Sequence, residues 1–185
     1  AGTVGFALPG VDLRITDDQG APVPAGETGN VDTRGPNVFK GYWRMPEKTA
    51  ETFRNGDWLI TGDLGFMDED GRLTLVGRAK DLIIAGGYNI YPKEIESALD
   101  AVDGVKESAV VGVPHGDMGE GVIAVLIADE AGPPTDAALA AALETLARFK
   151  RPRRTFFVDD LPRNAMGKVQ KQILRERFKD AFSAP

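Results

Sequence analysis

Gly77-Arg78-Ala79-Lys80-Asp81-Leu82-Ile83-Ile84-Ala85-Gly86-Gly87-Tyr88-Asn89-Ile90-Tyr91-Pro92 is the stretch at which the chain changes its pattern. Upstream of it, short runs broken by turn residues predict strands. Residues 11–15 alternate apolar and polar with period two. Asp17-Asp18-Gln19-Gly20 is turn-forming, and Pro22 and Pro24 punctuate the next segment. Pro46 suits the first turn of a short helix reaching about Phe53. Residues 58–60, 64–67 and 73–76 predict three further strands, the last two closed into a hairpin by Asp68-Glu69-Asp70-Gly71. Downstream, strands alternate with helices. Residues 82–85 predict a short buried strand. Pro92 opens a helix with the stripe Ile95, Leu99 and Val102. Residues 109–113 and 122–127 are apolar enough for central strands, and Thr135 can cap a helix with the stripe Leu139, Leu143 and Leu146. Residues 156–158 predict another strand, and Val169, Ile173 and Phe178 mark a final helix.

The expected division therefore falls near Ala79-Lys80: an all-β piece over 1–79 and a small α+β domain over 80–185. No Gly/Ser linker separates them. A short joint of that kind suits a hinge between defined positions better than a floppy tether.

The bulk composition narrows the classes. With 185 residues, 42% hydrophobic and 27% charged, the chain fits one globular domain or two small ones. No run of about 20 apolar residues is present, so no membrane span is expected. No secretory leader is visible, and the chain opens at Ala1 within a strand-like pattern, which predicts a fragment of a longer protein in the cytoplasm. Cysteine is absent, so any thiol chemistry must take its thiol from outside the chain. The net charge of -6 is unevenly spread: -3 over residues 1–80, -10 over 81–145 and +7 over 146–185. A basic tail on an acidic body predicts contact with phosphates, against the plainer reading of a solvated terminal helix. The tail lacks Trp and Tyr for base stacking, so nucleic acid is not expected as a partner.

Several residues carry chemistry on their own terms, each with a plainer alternative. Asp63, in Thr61-Gly62-Asp63, offers two acceptor oxygens, enough for two vicinal hydroxyls, or it caps a bend. Arg78, fifteen positions on, has a guanidinium that can bridge hydroxyl and phosphate oxygens, or it makes a surface ion pair. Gly86-Gly87 lets backbone approach a ligand closely or simply turns a strand into a helix. Arg148, Lys150, Arg151, Arg153 and Arg154 form a basic cluster that could meet phosphates or only solvate the surface. His115, the sole histidine, lies in a predicted loop where a structural role is the commoner one, and no metal site is legible. No phosphate loop is present either: Gly167-Lys168-Val169 lacks the preceding glycine and the hydroxyl such a loop needs.

Taken together, Thr61-Gly62-Asp63, Gly77-Arg78-Ala79-Lys80-Asp81 and Leu161-Pro162-Arg163-Asn164-Ala165-Met166-Gly167-Lys168-Val169 resemble the C-terminal signature of the adenylate-forming superfamily. The resemblance extends over essentially the whole chain. It implies a β-barrel-like portion of the large adenylation domain, followed by a small mobile α+β lid with a mixed sheet flanked by helices. It places Asp63 and Arg78 on the ribose of ATP or AMP, Lys80 at the hinge, and Gly86, Gly87 and Tyr88 along the pantetheine tunnel. Lys168 becomes the catalytic lysine, whose ammonium can orient carboxylate and α-phosphate and stabilise the charge that builds between them. Acetylation of that lysine, frequent in the family, would remove the charge. Arg151 and Arg153 become candidates for the phosphates of coenzyme A. Mg²⁺ would travel with ATP and be held mostly by the absent N-terminal portion.

Gly35-Pro36-Asn37-Val38-Phe39-Lys40-Gly41-Tyr42-Trp43, Tyr91-Pro92-Lys93-Glu94-Ile95-Glu96-Ser97 and Phe157-Val158-Asp159-Asp160-Leu161-Pro162-Arg163 look most like the malonyl-CoA synthetase branch. These are scaffold signatures and do not select the acid. The expected activity is an ATP-dependent acid–CoA ligase with malonate, by analogy, as the preferred acid, giving malonyl-CoA, and with the isolated fragment inactive. The alternatives are another short-chain, medium-chain or aryl acyl-CoA synthetase, or a non-catalytic module that docks a carrier or partner.

Overall fold

In the computed structural model, which describes residues 3–183, the chain forms two compact units, Ala1–Lys80 and Asp81–Pro185. The first is an antiparallel sheet of six strands: β1 (Thr3–Gly5), β2 (Asp12–Thr16), β3 (Gly29–Arg34), β4 (Phe53–Arg54), β5 (Trp58–Met67) and β6 (Leu73–Arg78). Their order is β1-β6-β5-β3-β2, with β4 also on β5. A short helix, α1 (Pro46–Thr52), carries Pro46 in its first turn as expected. The core is small: Ile15, Val31 and Leu73, with Leu13, Val23 and Met67 packed against it. Asp32 on β3 is fully buried and holds the sheet from within. Its carboxylate lies 3.2 Å from Arg14 on β2 and 3.4 Å from Arg54 on β4, and accepts from the Thr16 hydroxyl.

Two expected strands proved to be one. β5 runs unbroken from Trp58 to Met67 because Gly62, at φ +76°, absorbs the irregularity of Thr61-Gly62-Asp63 without ending the strand. Its partner β3, which carries only one large apolar residue, gave no alternating signal. The β5–β6 turn is the predicted one. Gly71, at φ +84°, donates to the Asp68 carbonyl, and the Asp68 carboxylate accepts from the Arg72 amide at 2.8 Å.

The second unit is built on β10 (Gly119–Ala128). β9 (Val105–His115) pairs antiparallel along one edge. The other edge takes β11 (Arg154–Phe157), parallel over residues 123–126, and β7 (Ile83–Ala85) at Gly119. β8 (Tyr88–Ile90) closes a hairpin with β7. The sheet is thus mixed, as the resemblance implied.

Side chains on β10 alternate between two cores. Val122, Ala124 and Leu126 pack on one face with Ile95 and Leu99 of α2 (Pro92–Leu99) and Leu139 of α3 (Asp136–Ala142). Ile123, Val125 and Ile127 pack on the other with Leu161 and with Leu174 of α4 (Lys171–Arg177). A strand covered on both faces must be apolar at every position, which is why its run was continuous. Burying each of the valines, leucines and isoleucines among them contributes about 1.5–3 kcal/mol.

Several local expectations shift. Gly86-Gly87 does not lead from strand to helix. Both glycines have positive φ, +58° and +84°, and form a two-residue hairpin turn between Ala85 and Tyr88. The β7 strand is buried at Ile83 and Ala85, but Ile84 faces solvent at 54% exposure. α2 ends at Leu99, and Val102 packs from the turn beyond it. α4 begins only at Lys171, because Val169 bridges back to Arg163 in extended backbone. Its buried stripe is therefore Leu174 with Phe178, and Ile173 is exposed. His115 ends β9, its ring 4.9 Å from Phe182.

The Thr135 hydroxyl caps α3 as expected, accepting from the Ala138 amide at 3.2 Å. Thr135→Ala should cost about 1 kcal/mol. Urea unfolding would show it as a lower midpoint with unchanged slope; an unmoved midpoint would mean the cap contributes nothing.

Candidate functional site

The first unit presents Asp63 and Arg78 as neighbours. They are register partners on β5 and β6, and Arg78 Nε lies 2.8 Å from Asp63 Oδ1. Sequence spacing hides this contact; the hairpin creates it. The β3–β5 register jumps from Asp32↔Ile60 to Asn30↔Leu64, so Thr61, Gly62 and Asp63 bulge from the ladder. Bulges re-aim side chains. This one is pinned by the Thr61 hydroxyl, which donates to the Val31 carbonyl at 2.8 Å and accepts from the Asp63 amide at 3.1 Å. Arg78 also donates to the Thr61 carbonyl at 3.2 Å. An acceptor carboxylate and a multi-donor cation stand side by side, with half of the Arg78 side chain open to solvent. That pairing suits a ligand carrying both hydroxyls and phosphate.

The second unit presents Lys168 on a tight loop. Asn164 organises it: its side-chain oxygen accepts from the amides of Met166 and Lys168, both at 3.0 Å, and its own amide donates to the Lys168 carbonyl. Gly167, at φ +77°, makes the turn. Arg163 clamps the loop from below, donating to the Gly167 carbonyl at 2.9 Å and pairing with Glu107 of β9. Lys168 is exposed, and its ammonium has no ion-pair partner among the described residues. A fixed backbone thus carries a free cation at its tip. Just beyond, Lys171 pairs with Glu96 of α2 at 2.6 Å and Arg175 with Asp81 at 3.3 Å, tying α4 down.

Near the Gly86-Gly87 turn, Tyr88 is half exposed and stacks on Phe149, their ring centres 4.4 Å apart. The basic cluster is more committed than its composition implied. The Arg151 guanidinium donates to the carbonyls of Leu146 and Glu144, closing the turn after α3. Lys150 grips both carboxylate oxygens of Glu94. Arg153 donates to the Met118 sulfur at 3.2 Å and remains exposed. Lys80 closes the first unit within a short 3₁₀ turn, Ala79–Asp81. No group of three or more metal-ligating side chains occurs among the described residues.

Residues 1–43 match the profile of the AMP-binding enzyme, and residues 94–168 that of the AMP-binding enzyme C-terminal domain. The chain belongs to the AMP-binding enzyme family. ATP-bound MatB from Rhodopseudomonas palustris is 55% identical and superposes with a TM-score of 0.90 over 98% of this chain and 37% of its own. O-succinylbenzoate coenzyme A synthetase (MenE) from Bacillus subtilis, in complex with ATP and magnesium ion, is 37% identical with a TM-score of 0.86 over 97% of this chain and 36% of its own. A long-chain-fatty-acid–CoA ligase of Salmonella typhimurium is 38% identical over 176 residues, 95% of this chain and 31% of the relative. This AMP-binding family chain therefore spans about a third of the length of the relatives it matches.

Three residues that organise the AMP-binding chain's loops were not singled out from the sequence: Glu96, Asn164 and Glu120. Glu96 did carry a signal. It lies four positions after Pro92 and three before Leu99, inside the buried face of α2, where a carboxylate requires a partner.

Proposed function

We propose that this chain is the C-terminal portion of an ATP-dependent acid–CoA ligase. A carboxylate oxygen attacks the α-phosphate of ATP, pyrophosphate leaves, and an acyl-adenylate forms. The sulfur of coenzyme A then attacks the acyl carbon, AMP leaves, and a thioester results. Asp63 and Arg78 hold the ribose and its neighbouring phosphate. Lys168 bridges carboxylate and α-phosphate in the first half-reaction. The lid, Asp81–Pro185, turns about Lys80 and presents Gly86, Gly87 and Tyr88 to the thiol in the second. Of the two arginines considered for the phosphates of coenzyme A, Arg153 is the exposed one, since Arg151 is engaged by backbone carbonyls. Mg²⁺ accompanies the ATP phosphates. The acyl and adenine pockets belong to the rest of the parent protein.

The Asp63–Arg78 pair carries this reading, because a bulge and a register match bring together the two groups a nucleotide ribose needs. Malonate is the preferred acid by analogy, supported by 55% identity to MatB. Other relatives are named for long-chain and succinylbenzoate substrates, so the acid calls for a direct test. ATP–pyrophosphate exchange by the full-length parent should be greatest with malonate among malonate, methylmalonate, acetate and a medium-chain acid. A different preferred acid keeps the ligase and discards malonate. No exchange with any acid of the panel counts against the ligase and favours a docking module.

A further inference from the structure

The β7–β8 hairpin that carries Gly86-Gly87 hangs from the sheet by a narrow seam. Among the described residues, β7 and β10 share one register pair, Gly119↔Ala85. Beside it the Gly86 amide donates to the Met118 carbonyl at 2.9 Å. The next amide inward along that edge, that of Ile84, lies beyond the single register pair. It donates to the carboxylate of Glu120 at 2.7 Å. A side chain thus supplies the acceptor there, and an ionised acceptor makes the bond a strong one.

The surroundings are cleared for that carboxylate. A Cβ at Gly112 would stand 2.7 Å from Glu120 Oε1 and 2.8 Å from Ile83 Cγ2. Gly112 is the register partner of Val122, so β9 leaves a side-chain-sized gap where Glu120 turns towards the hairpin. Ile83 and Ile90 anchor the inner end of the hairpin in the core, whereas Ile84, Gly86, Gly87 and Tyr88 stand in solvent. The outer end is therefore located by backbone bonds at the seam and by Glu120.

We infer that Glu120 is a positioning residue for the second half-reaction: it fixes the Gly86-Gly87 turn against β10 and thereby the surface offered to the thiol of coenzyme A. This rests on the ligase reading above. Glu120 is not among the residues placed in adenylate formation, and among the described residues the hydrogen bonds that shape the Lys168 loop are made by Asn164 and Arg163. Its removal should separate the two half-reactions.

The test uses the full-length parent, Glu120→Ala and Glu120→Gln. Adenylate formation is read by ATP–pyrophosphate exchange and thioester formation by acyl-CoA release at varied coenzyme A. Glu120→Ala should slow acyl-CoA formation about tenfold or more through a misplaced loop, while exchange stays within about twofold. Normal exchange in the same preparation shows the variant to be folded. Glu120→Gln should recover most of the loss, because its amide oxygen still accepts from the Ile84 amide. Equal losses in both half-reactions, no loss in either, or a Gln variant as impaired as the Ala variant would each overturn the role of Glu120. A wild-type parent that forms no adenylate would overturn the ligase reading itself, and this inference with it.

Discussion

Lys168→Ala in the full-length parent should lower ATP–pyrophosphate exchange by about 10²–10³-fold, the usual loss when one preorganised group facing transition-state charge is removed. The expectation comes from how the loop is built. Asn164 gathers the amides of Met166 and Lys168 and the carbonyl of Lys168 around one residue. Arg163 fixes the same turn to Glu107. These bonds are made by backbone, by Asn164 and by Arg163, so truncating Lys168 leaves them in place. Its ammonium has no ion-pair partner among the described residues to lose. Unfolding midpoints should accordingly stay within about 0.5 kcal/mol of the parent's, as for other surface changes. A large kinetic effect without a stability effect is the signature of a group used only in the reaction. Exchange retained within about threefold would remove Lys168 from the chemistry.

Legibility in the sequence tracked the physics of each feature. Strands buried on both faces announced themselves, since β10 has no room for a polar residue between Val122 and Ile127. Turns with a fixed chemical requirement, such as Asp68 to Gly71, were equally clear. β3 was invisible because its sequence, Gly-Asn-Val-Asp-Thr-Arg, buries an aspartate whose arginine partners come from β2 and β4. No window of local sequence holds that information. The same limit applied to the site. Asp63, Arg78 and Lys168 were recognisable as residues, but the bulge that aims Asp63 depends on pairing with β3. Arg151 looked like a phosphate ligand by composition and became a helix-end clamp through contacts five and seven residues away. Supporting carboxylates such as Glu96 and Glu120 act on segments 75 and 36 residues distant.

Glu96→Ala should be the most destabilising single change at the supports of the site. Glu96 Oε1 accepts from the Val110 amide at 2.9 Å and stands 2.6 Å from the Lys171 ammonium. One carboxylate thus joins α2, β9 and the first residue of α4. Its side chain is 9% exposed and that of Lys171 17%. Removing one partner of a buried pair typically costs about 3–5 kcal/mol, because the other charge is left uncompensated. Some water still reaches Lys171, which places the expected loss near the lower end, about 3 kcal/mol, or roughly 10–15 °C in midpoint for a unit of this size. Glu96→Gln should lose less, since its amide oxygen can still accept from Val110 and avoids an orphaned buried amide. The consequence reaches the lysine loop. Gln170, adjoining Lys171, donates to the Pro162 carbonyl at 2.7 Å, so the base of that loop and the start of α4 are one structure. Loosening α4 should therefore reduce adenylate formation in the surviving folded protein as well, through a displaced Lys168. Thermal unfolding of Glu96→Ala within about 0.5 kcal/mol of the parent would show that Glu96 does not brace α4. A destabilised variant with full exchange would show that the loop keeps its geometry without that brace.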